Sequence, residues 1–318
     1  MKRIMGSILV LLAILVLNFV LFRIVPGDPT LAILDPKFSP EAKMKLAAQW
    51  GLDRPLHEQF IVYAKNMLTF EFGVSFLSGR PIWDEINSRL PNTVALLGTS
   101  FVLSAVLGIW IGIKAALARG TWLERAVLMG GAISFSFPSF FVQLVLLMLF
   151  ASFLQVFPLR GSMSIPPPQG VAMILDRLWH LALPVISLTI LSFGGWALYI
   201  RNLMVKAMGE DFILMSRAKG LSERRITWHA FRSVLPPIVT ILLLALPGIV
   251  SGAVITETVF SLHGIGRFLI ESISGNDYPA SEASFFLLGF LTVACNLIAD
   301  FLYLVVDPRA RIRRVIHE

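Results

Sequence analysis

The stretch from Glu210 to Pro236, EDFILMSRAKGLSERRITWHAFRSVLP, is a polar, basic island between two hydrophobic runs that are each long enough to cross a bilayer. It carries Arg217, Lys219, Arg224, Arg225 and Arg232. A loop of this character faces a partner rather than lipid. Glu210 and Asp211 stand where a helix N-terminus favours negative charge, and Arg217 and Lys219 where the C-terminal carbonyls favour positive charge. The pattern predicts a short helix from about Asp211 to Lys219. Gly220 follows, where a residue of positive φ closes the last turn and only glycine does so without a Cβ penalty. Ser222 can cap a second helix. That helix carries Ile226, Trp228, Phe231 and Leu235 at roughly helical spacing and is expected to end against Pro236 and Pro237, which cannot donate to its ladder.

Outward from this loop the composition makes the bilayer the relevant solvent. Of 318 residues, 56% are hydrophobic and only 15% charged, far from the balance of a soluble domain. The formal net charge of +7 matters through its placement, and nothing in it points to nucleic acid. The single Cys295 falls inside an apolar run, which excludes an intrachain disulfide and leaves a small buried hydrophobe as its role.

Six runs reach the roughly 20 residues needed to cross the hydrocarbon core. The first, from Ile4 to about Val25, is interrupted only by Asn18 and Arg23; it exceeds a typical signal core, lacks a small-x-small cleavage site and is read as a retained helix. Pro26-Gly27-Asp28-Pro29 ends it. The other five run roughly from Asn92 to Ala115, Ala126 to Phe150, Leu181 to Val205, Pro236 to Phe260 and Ser284 to Val306. Between the first two spans, residues 26–91 form a polar lobe. It holds a helix opening at Ser39-Pro40-Glu41 and stopping at Gly51, and a second from near Pro55 through Phe60, Tyr63 and Met67. Gly108-x-x-x-Gly112 and Gly248-x-x-x-Gly252 are read as close-packing sites. Pro166-Pro167-Pro168 suits an extended outer segment.

Basic residues fix the expected orientation. With the N-terminus inside, the inner segments gather Lys2 and Arg3, then Lys114, Arg119 and Arg125, then Arg201, Lys206 and the bases of the central loop, then Arg309, Arg311, Arg313 and Arg314. The two short outer loops hold only Arg160, Arg177 and Arg267. Both termini and the loop from Glu210 to Leu235 are therefore expected in the cytoplasm.

No catalytic constellation is visible. The chain has no Gly-x-x-x-x-Gly-Lys-Ser/Thr loop with which to hold ATP, and His57, His180, His229, His263 and His317 are scattered without metal-ligand spacing. Polar residues within spans are the remaining clues, since they need a partner or water in hydrocarbon. Gln143 and Asn296 fit either a helix-helix hydrogen bond or a pathway lining. Glu257 and Asp300 fit an interfacial anchor or a transport role. Pro247 and Gly248, midway along the fifth span, are candidates for a kink or a gate.

At the central loop, Asp211, Phe212, Arg217, Ala218, Lys219, Gly220 and Leu221, followed by His229, Arg232 and Leu235-Pro236, resemble the EAA loop of binding-protein-dependent ABC importers. The nearest resemblance is to the dipeptide, oligopeptide and nickel permease family, in the branch of its first permease subunit. Further matches follow the family's order: Gly51-Leu52-Asp53-Arg54-Pro55, Phe72-Gly73-Val74-Ser75, the segment Glu257 to Arg267, Asp277-Tyr278-Pro279, then Asn296, Asp300, Tyr303 and Asp307-Pro308-Arg309. Two departures stand out. Phe70-Glu71 replaces a usual Gly-Asp, so the turn there is expected to differ, and His263 replaces a usual proline.

The resemblance implies an all-α membrane protein with the six-helix permease fold of type I importers. Its parts would be a first span (1–25), an extracytoplasmic lobe (26–91), a five-helix core (92–306) with the coupling loop at 206–235, and a cytoplasmic tail (307–318). It implies that Glu210, Asp211, Phe212, Met215, Arg217, Ala218, Lys219, Gly220 and Leu221 dock on a cytoplasmic ATPase. It further implies a homologous second permease, two ATP-binding subunits and an external solute-binding protein, with ATP and magnesium held by the partners and no cofactor or metal in this chain. Relatives carry short peptides, nickel chelates or oligosaccharides, and peptide is the expectation. An ion-coupled secondary transporter would place charges at mid-membrane and show two matching halves with broken helices, and an intramembrane enzyme would pair a nucleophile with a base at depth; neither pattern is visible.

Overall fold

The computed structural model describes residues 2–23 and 55–306. The expected helix between Ser39 and Gly51, the motif Gly51 to Arg54, the break at Pro26 to Pro29 and the tail from Asp307 onward lie outside them. The described residues form helices α1 (Lys2–Arg23), α2 (Leu56–Thr69), α3 (Ile82–Leu117), α4 (Trp122–Ser136), α5 (Ser139–Leu146), α6 (Val171–Met208), α7 (Asp211–Ala218), α8 (Glu223–Val259), α9 (Ile265–Ser274) and α10 (Tyr278–Val306). A π-helical turn, Leu147–Phe153, continues α5. The only extended pairing among these residues is an isolated bridge between Val74 and Pro81.

Among the described residues, five helices are long and apolar enough to cross a membrane: α1, α3, α6, the Glu223–Gly248 part of α8, and the Tyr278–Leu302 part of α10. The expected third span is not one straight helix. It is broken at Phe137-Pro138 into two segments bent by 106°, which counted together make the sixth crossing. Pro138 has no N–H to donate, and Phe137 before it is driven into an extended conformation (φ −105°, ψ 141°).

A second correction concerns the prolines after the central loop. The helix does not stop at Pro236-Pro237 but runs from Glu223 to Val259 with Pro236, Pro237 and Pro247 inside it. In a bilayer an exposed peptide group has no water to turn to, so an interrupted helix costs more than a locally weakened one. Burial holds both sides of the proline pair in line, because Val234 before it and Ile238 after it enter the same core.

The chain divides into two compact units. The first takes residues 1–94 and 250–297. Here Asn18, the polar interruption of α1, is fully buried; its amide donates to the Tyr63 hydroxyl (2.7 Å) and the Glu282 carbonyl (2.9 Å). Phe19 packs edge-on to Phe60 with ring centroids 5.3 Å apart, tying α1 to α2. The departure at Phe70 becomes concrete in the left-handed φ of +59° that closes α2. Glycine adopts that conformation freely, whereas a bulky residue needs support. Phe70 receives it from the rings of Phe72, Trp83, Phe286 and Phe290, at 5.6 to 6.4 Å.

The second unit takes residues 95–249 and 298–318. Its helices approach closely through small residues. A Cβ on Gly112 would stand 2.7 Å from the Ala197 carbonyl, and one on Gly131 2.6 Å from Leu198. The Gly108/Gly112 pair is thus a true α3–α6 contact. By contrast, a Cβ on Gly248 or Gly252 meets nothing within 4 Å, so the expected packing role of that second pair is not found among the described residues. Arg201 of α6 pairs with Glu124 of α4, whose other oxygen accepts the Gly120 N–H at 2.6 Å. A base placed by sequence in the inner charge cluster is therefore already neutralised by a carboxylate.

Candidate coupling site

Helix α7 is short, and its ends are closed by the chain itself. Glu210 sits at the N-cap in an extended conformation (φ −79°, ψ 153°), its carbonyl accepting the Ile213 N–H at 3.0 Å, with Asp211 in the first turn. At the other end the Gly220 N–H reaches the Arg217 carbonyl (2.9 Å) and the Leu221 N–H the Ser216 carbonyl (3.2 Å). Gly220 has φ +73°, so the closure is the glycine-dependent corner that the sequence predicts. The helix ends at Ala218, with Lys219 as the cap, one residue earlier than expected. Ser222 then opens α8, its carbonyl accepting the Arg225 and Ile226 N–H groups.

What fixes α7 to the bundle is a residue that sequence reasoning passed over. Ile213 is 0% exposed and joins a core of Ala116, Ile200, Met204, Ala207, Ile226, Ala230, Val234 and Ile238. Burying one such side chain contributes about 1.5–3 kcal/mol. The stripe at 226, 230, 234 and 238, four apart on one face of α8, was the available signal. Three other apolar side chains of α7 stand clear of this core: Phe212 (40% exposed), Leu214 (60%) and Met215 (61%). Phe212 and Met215 were expected to be exposed; three apart, they share a face that Leu214 does not. Arg217 makes a loose, exposed ion pair with Glu223 at 3.6 Å, and Lys219 is exposed. Leu221 packs against the Ile213 core.

The other sequence-selected residues are dispersed. Gln143 is buried on α5. Pro247 and Gly248 lie inside the uninterrupted α8. Asn296 is exposed on α10, and Asp300 is partly buried.

Two buried carboxylates emerge as structural centres. Glu257, 1% exposed, accepts from the Thr93 hydroxyl (2.6 Å) through one oxygen and from the Gly266 and Arg267 N–H groups (2.7 and 3.1 Å) through the other. It caps α9 from outside that helix. Asp277 caps α10, accepting the Ala280 N–H at 3.2 Å, and its second oxygen takes the Ser75 hydroxyl and the Leu77 N–H. The motif Asp277-Tyr278-Pro279 was legible in sequence; its partner, 200 residues upstream, was not. Nearby, burial holds the His263 imidazole below its usual range, and the Arg89 guanidinium adds to this. Among the described residues no group of three or more His, Cys, Asp and Glu could hold a metal ion.

The fold, the six apolar crossings and the exposed elbow between α6 and α8 define a multi-pass membrane permease. The chain belongs to the family described as "Binding-protein-dependent transport system inner membrane component", whose model matches residues 88–312, and its N-terminal companion model matches residues 1–97. It is 33% identical to the oligopeptide transport system permease protein AppB of Bacillus subtilis, over 97% of both chains. It is likewise 33% identical to the di/tripeptide transport system permease protein DppB of Pseudomonas aeruginosa, over 94% of both. Identity to the probable D,D-dipeptide transport system permease protein DdpB of Escherichia coli is 32%, over 97% of this chain and 96% of the relative. The chain is thus a non-catalytic permease subunit of an ABC transporter, and ATP hydrolysis belongs to separate ATPase subunits.

Proposed function

We propose that this chain forms half of the translocation pathway of an ATP-driven importer for short peptides and receives force from the ATPases through α7. The other half is a homologous second permease; two ATP-binding subunits hold ATP and magnesium, and an external binding protein delivers the peptide. The chain sits in the cytoplasmic membrane with both termini inside, as its basic residues favour. The observation that carries this reading is the division of labour on α7. Ile213 locks the helix to the core, while Phe212, Leu214 and Met215 offer an apolar knob to a neighbour. The charged Glu210, Asp211, Arg217 and Lys219 set its register on the ATPase, Ala218 and Leu221 complete the coupling segment, and Gly220 joins it to α8. Gly220 leads through Ser222 directly into α8, so displacement of the corner reaches the base of that helix. Peptide as cargo is supported by the names of the relatives. Pro247, Gly248, Gln143 and Asn296 are the candidates for gate and pathway.

Copurification with the ATPases, combined with a cysteine at Met215, tests this. A disulfide or bifunctional crosslink from position 215 to an ATPase subunit, sensitive to ATP, is the expected result. A crosslink only to periplasmic protein, or peptide uptake unaffected by ATP depletion, would overturn it.

A further inference from the structure

Helix α6 turns one face to an open pocket of about 470 Å³ in the second unit, lined by Leu191, Ser192, Gly195, Trp196 and Tyr199 together with Ile241 of α8. Residues 192, 195, 196 and 199 recur at helical spacing and so share that face. The pocket lies inside the apolar run from Leu181 to Val205, and its size falls in the roughly 300–1,000 Å³ range of small-molecule sites. Its lining is more polar than its surroundings. Hydroxyls elsewhere on these two helices turn back on their own backbone: Ser187 donates to the Pro184 carbonyl (2.7 Å) and Thr240 to the Pro236 carbonyl (3.0 Å). Among the described residues, the Ser192 and Tyr199 hydroxyls and the Trp196 indole N–H make no hydrogen bond. Inside an apolar span such groups need a polar neighbour. Trp196 stands edge-on to Phe101 with ring centroids 6.4 Å apart, and Trp196 and Tyr199 both pack against the core that takes up Ile213. On α8, Ile241 and Gly248 are seven apart on one face, and a Cβ on Gly248 meets nothing within 4 Å, so the open face runs on from the pocket to the candidate gate.

We propose that this pocket is a contact site for the transported peptide, whose backbone exchanges hydrogen bonds with Ser192, Trp196 and Tyr199 while an apolar side chain rests against Leu191 and Ile241. The inference rests on the peptide reading of the proposed function. Hydrogen-bonding complementarity selects this occupant. A peptide carries a donor and an acceptor at nearly every residue, which matches two hydroxyls and an indole N–H. An acyl chain offers neither, and a free ion would require charge that this lining lacks. With no charged group in the pocket, recognition falls on the peptide backbone, and side chains are admitted by bulk.

The test uses the intact importer, with its ATPases and binding protein, reconstituted in liposomes and illuminated during ATP-driven uptake of the tripeptide Ala-photoleucine-Ala. Label on residues 191–199 that excess trialanine removes is the expected result. Ser192→Ala and Tyr199→Phe should each lower the maximal rate of trialanine uptake about fivefold, as expected for one hydrogen bond. Neither should move the unfolding midpoint, because neither hydroxyl has a hydrogen-bond partner among the described residues. Ser136→Ala, which removes a hydroxyl bonded to the Ala132 carbonyl on α4, should leave uptake unchanged. Label confined to other segments while the unsubstituted importer still takes up trialanine would overturn the pocket and leave peptide import standing; no ATP-dependent uptake of trialanine would overturn both. Labelling of the same residues by a photoactivatable phosphatidylcholine that trialanine does not displace would make the face a lipid contact. A crosslink from Ser192→Cys to the second permease throughout the cycle would make it a subunit interface, and either outcome overturns the assignment.

Discussion

The Glu257 carboxylate accepts the Thr93 hydroxyl at 2.6 Å while its second oxygen takes the first free N–H groups of α9, so one side chain joins α3, α8 and α9. Removing it strands a buried hydroxyl and two backbone donors, each costing about 1–3 kcal/mol. Glu257→Ala is expected to lower the unfolding midpoint of the purified complex sharply. Glu257→Gln keeps one acceptor but points an amide donor at another donor, and should fall between. Gly264→Ala should resemble Glu257→Ala, because its methyl would land on the carboxyl group.

Asp277 performs the corresponding task at the start of α10, where Ser75 and Leu77 meet it. Asp277→Ala removes a helix cap, worth about 1 kcal/mol, together with the tether of the 70–81 loop. Proteolysis within that loop should accelerate in the variant before the rest of the chain becomes sensitive. An unchanged cleavage pattern would count against the tether.

On α7, neighbouring residues should separate stability from coupling. Ile213→Ala opens a cavity in the core and is expected to cost about 2–5 kcal/mol. Phe212→Ala and Met215→Ala touch exposed positions and should shift stability by less than about 0.5 kcal/mol, yet weaken ATPase association. Thermal unfolding and pull-down of the same three variants read the two effects apart.

Gly220 has room for a side chain but not the backbone for one: nothing lies within 4 Å of the place a methyl group would take, while φ is +73°. The penalty in a substitution series is therefore conformational, about 1–2 kcal/mol for most residues. Uptake and stability should fall in the order Gly, Asn, Ala, Val, since Asn tolerates the left-handed region and β-branched Val does not. A series ordered by side-chain volume alone would point to sterics instead.

Burial, and next to it the Arg89 guanidinium, push the His263 imidazole below its usual range. Its folded pKa lies below that of the unfolded chain, so the unfolded state binds the extra proton first. Stability attributable to this residue is complete above about pH 6.5 and declines as pH falls toward the folded value. His263→Gln should flatten that part of the pH dependence of the unfolding midpoint; parallel curves for the two proteins would remove the assignment.

Much of this molecule was open to a reading of residues alone. Hydrophobic length located the crossings, since any run of about 20 apolar residues has one low-energy place in a bilayer. Local grammar located α7 and its corner, because Asp211, Arg217 and Gly220 act on the turn they belong to. The prolines misled in both directions. Pro138 broke a run that looked continuous, and Pro236-Pro237 failed to break one that looked finished. A proline removes one donor wherever it stands; whether the helix survives depends on what holds its flanks, and Val234 and Ile238 are held by side chains from other helices.

Sequence by itself therefore determined the solvent, the places of the crossings and the address of the elbow, all consequences of interactions within a few residues or of composition summed along the chain, while the family was legible through the resemblance of its motifs. Only the tertiary structure decided that Ile213 is buried while Phe212 stays exposed, that Phe70 occupies a glycine's conformation, that Glu257 caps a helix it does not belong to, and that Asp277 meets Ser75 and Leu77. Those roles depend on which distant backbone donors a carboxylate meets once the helices have packed, and burial of a charge leaves it no alternative partner.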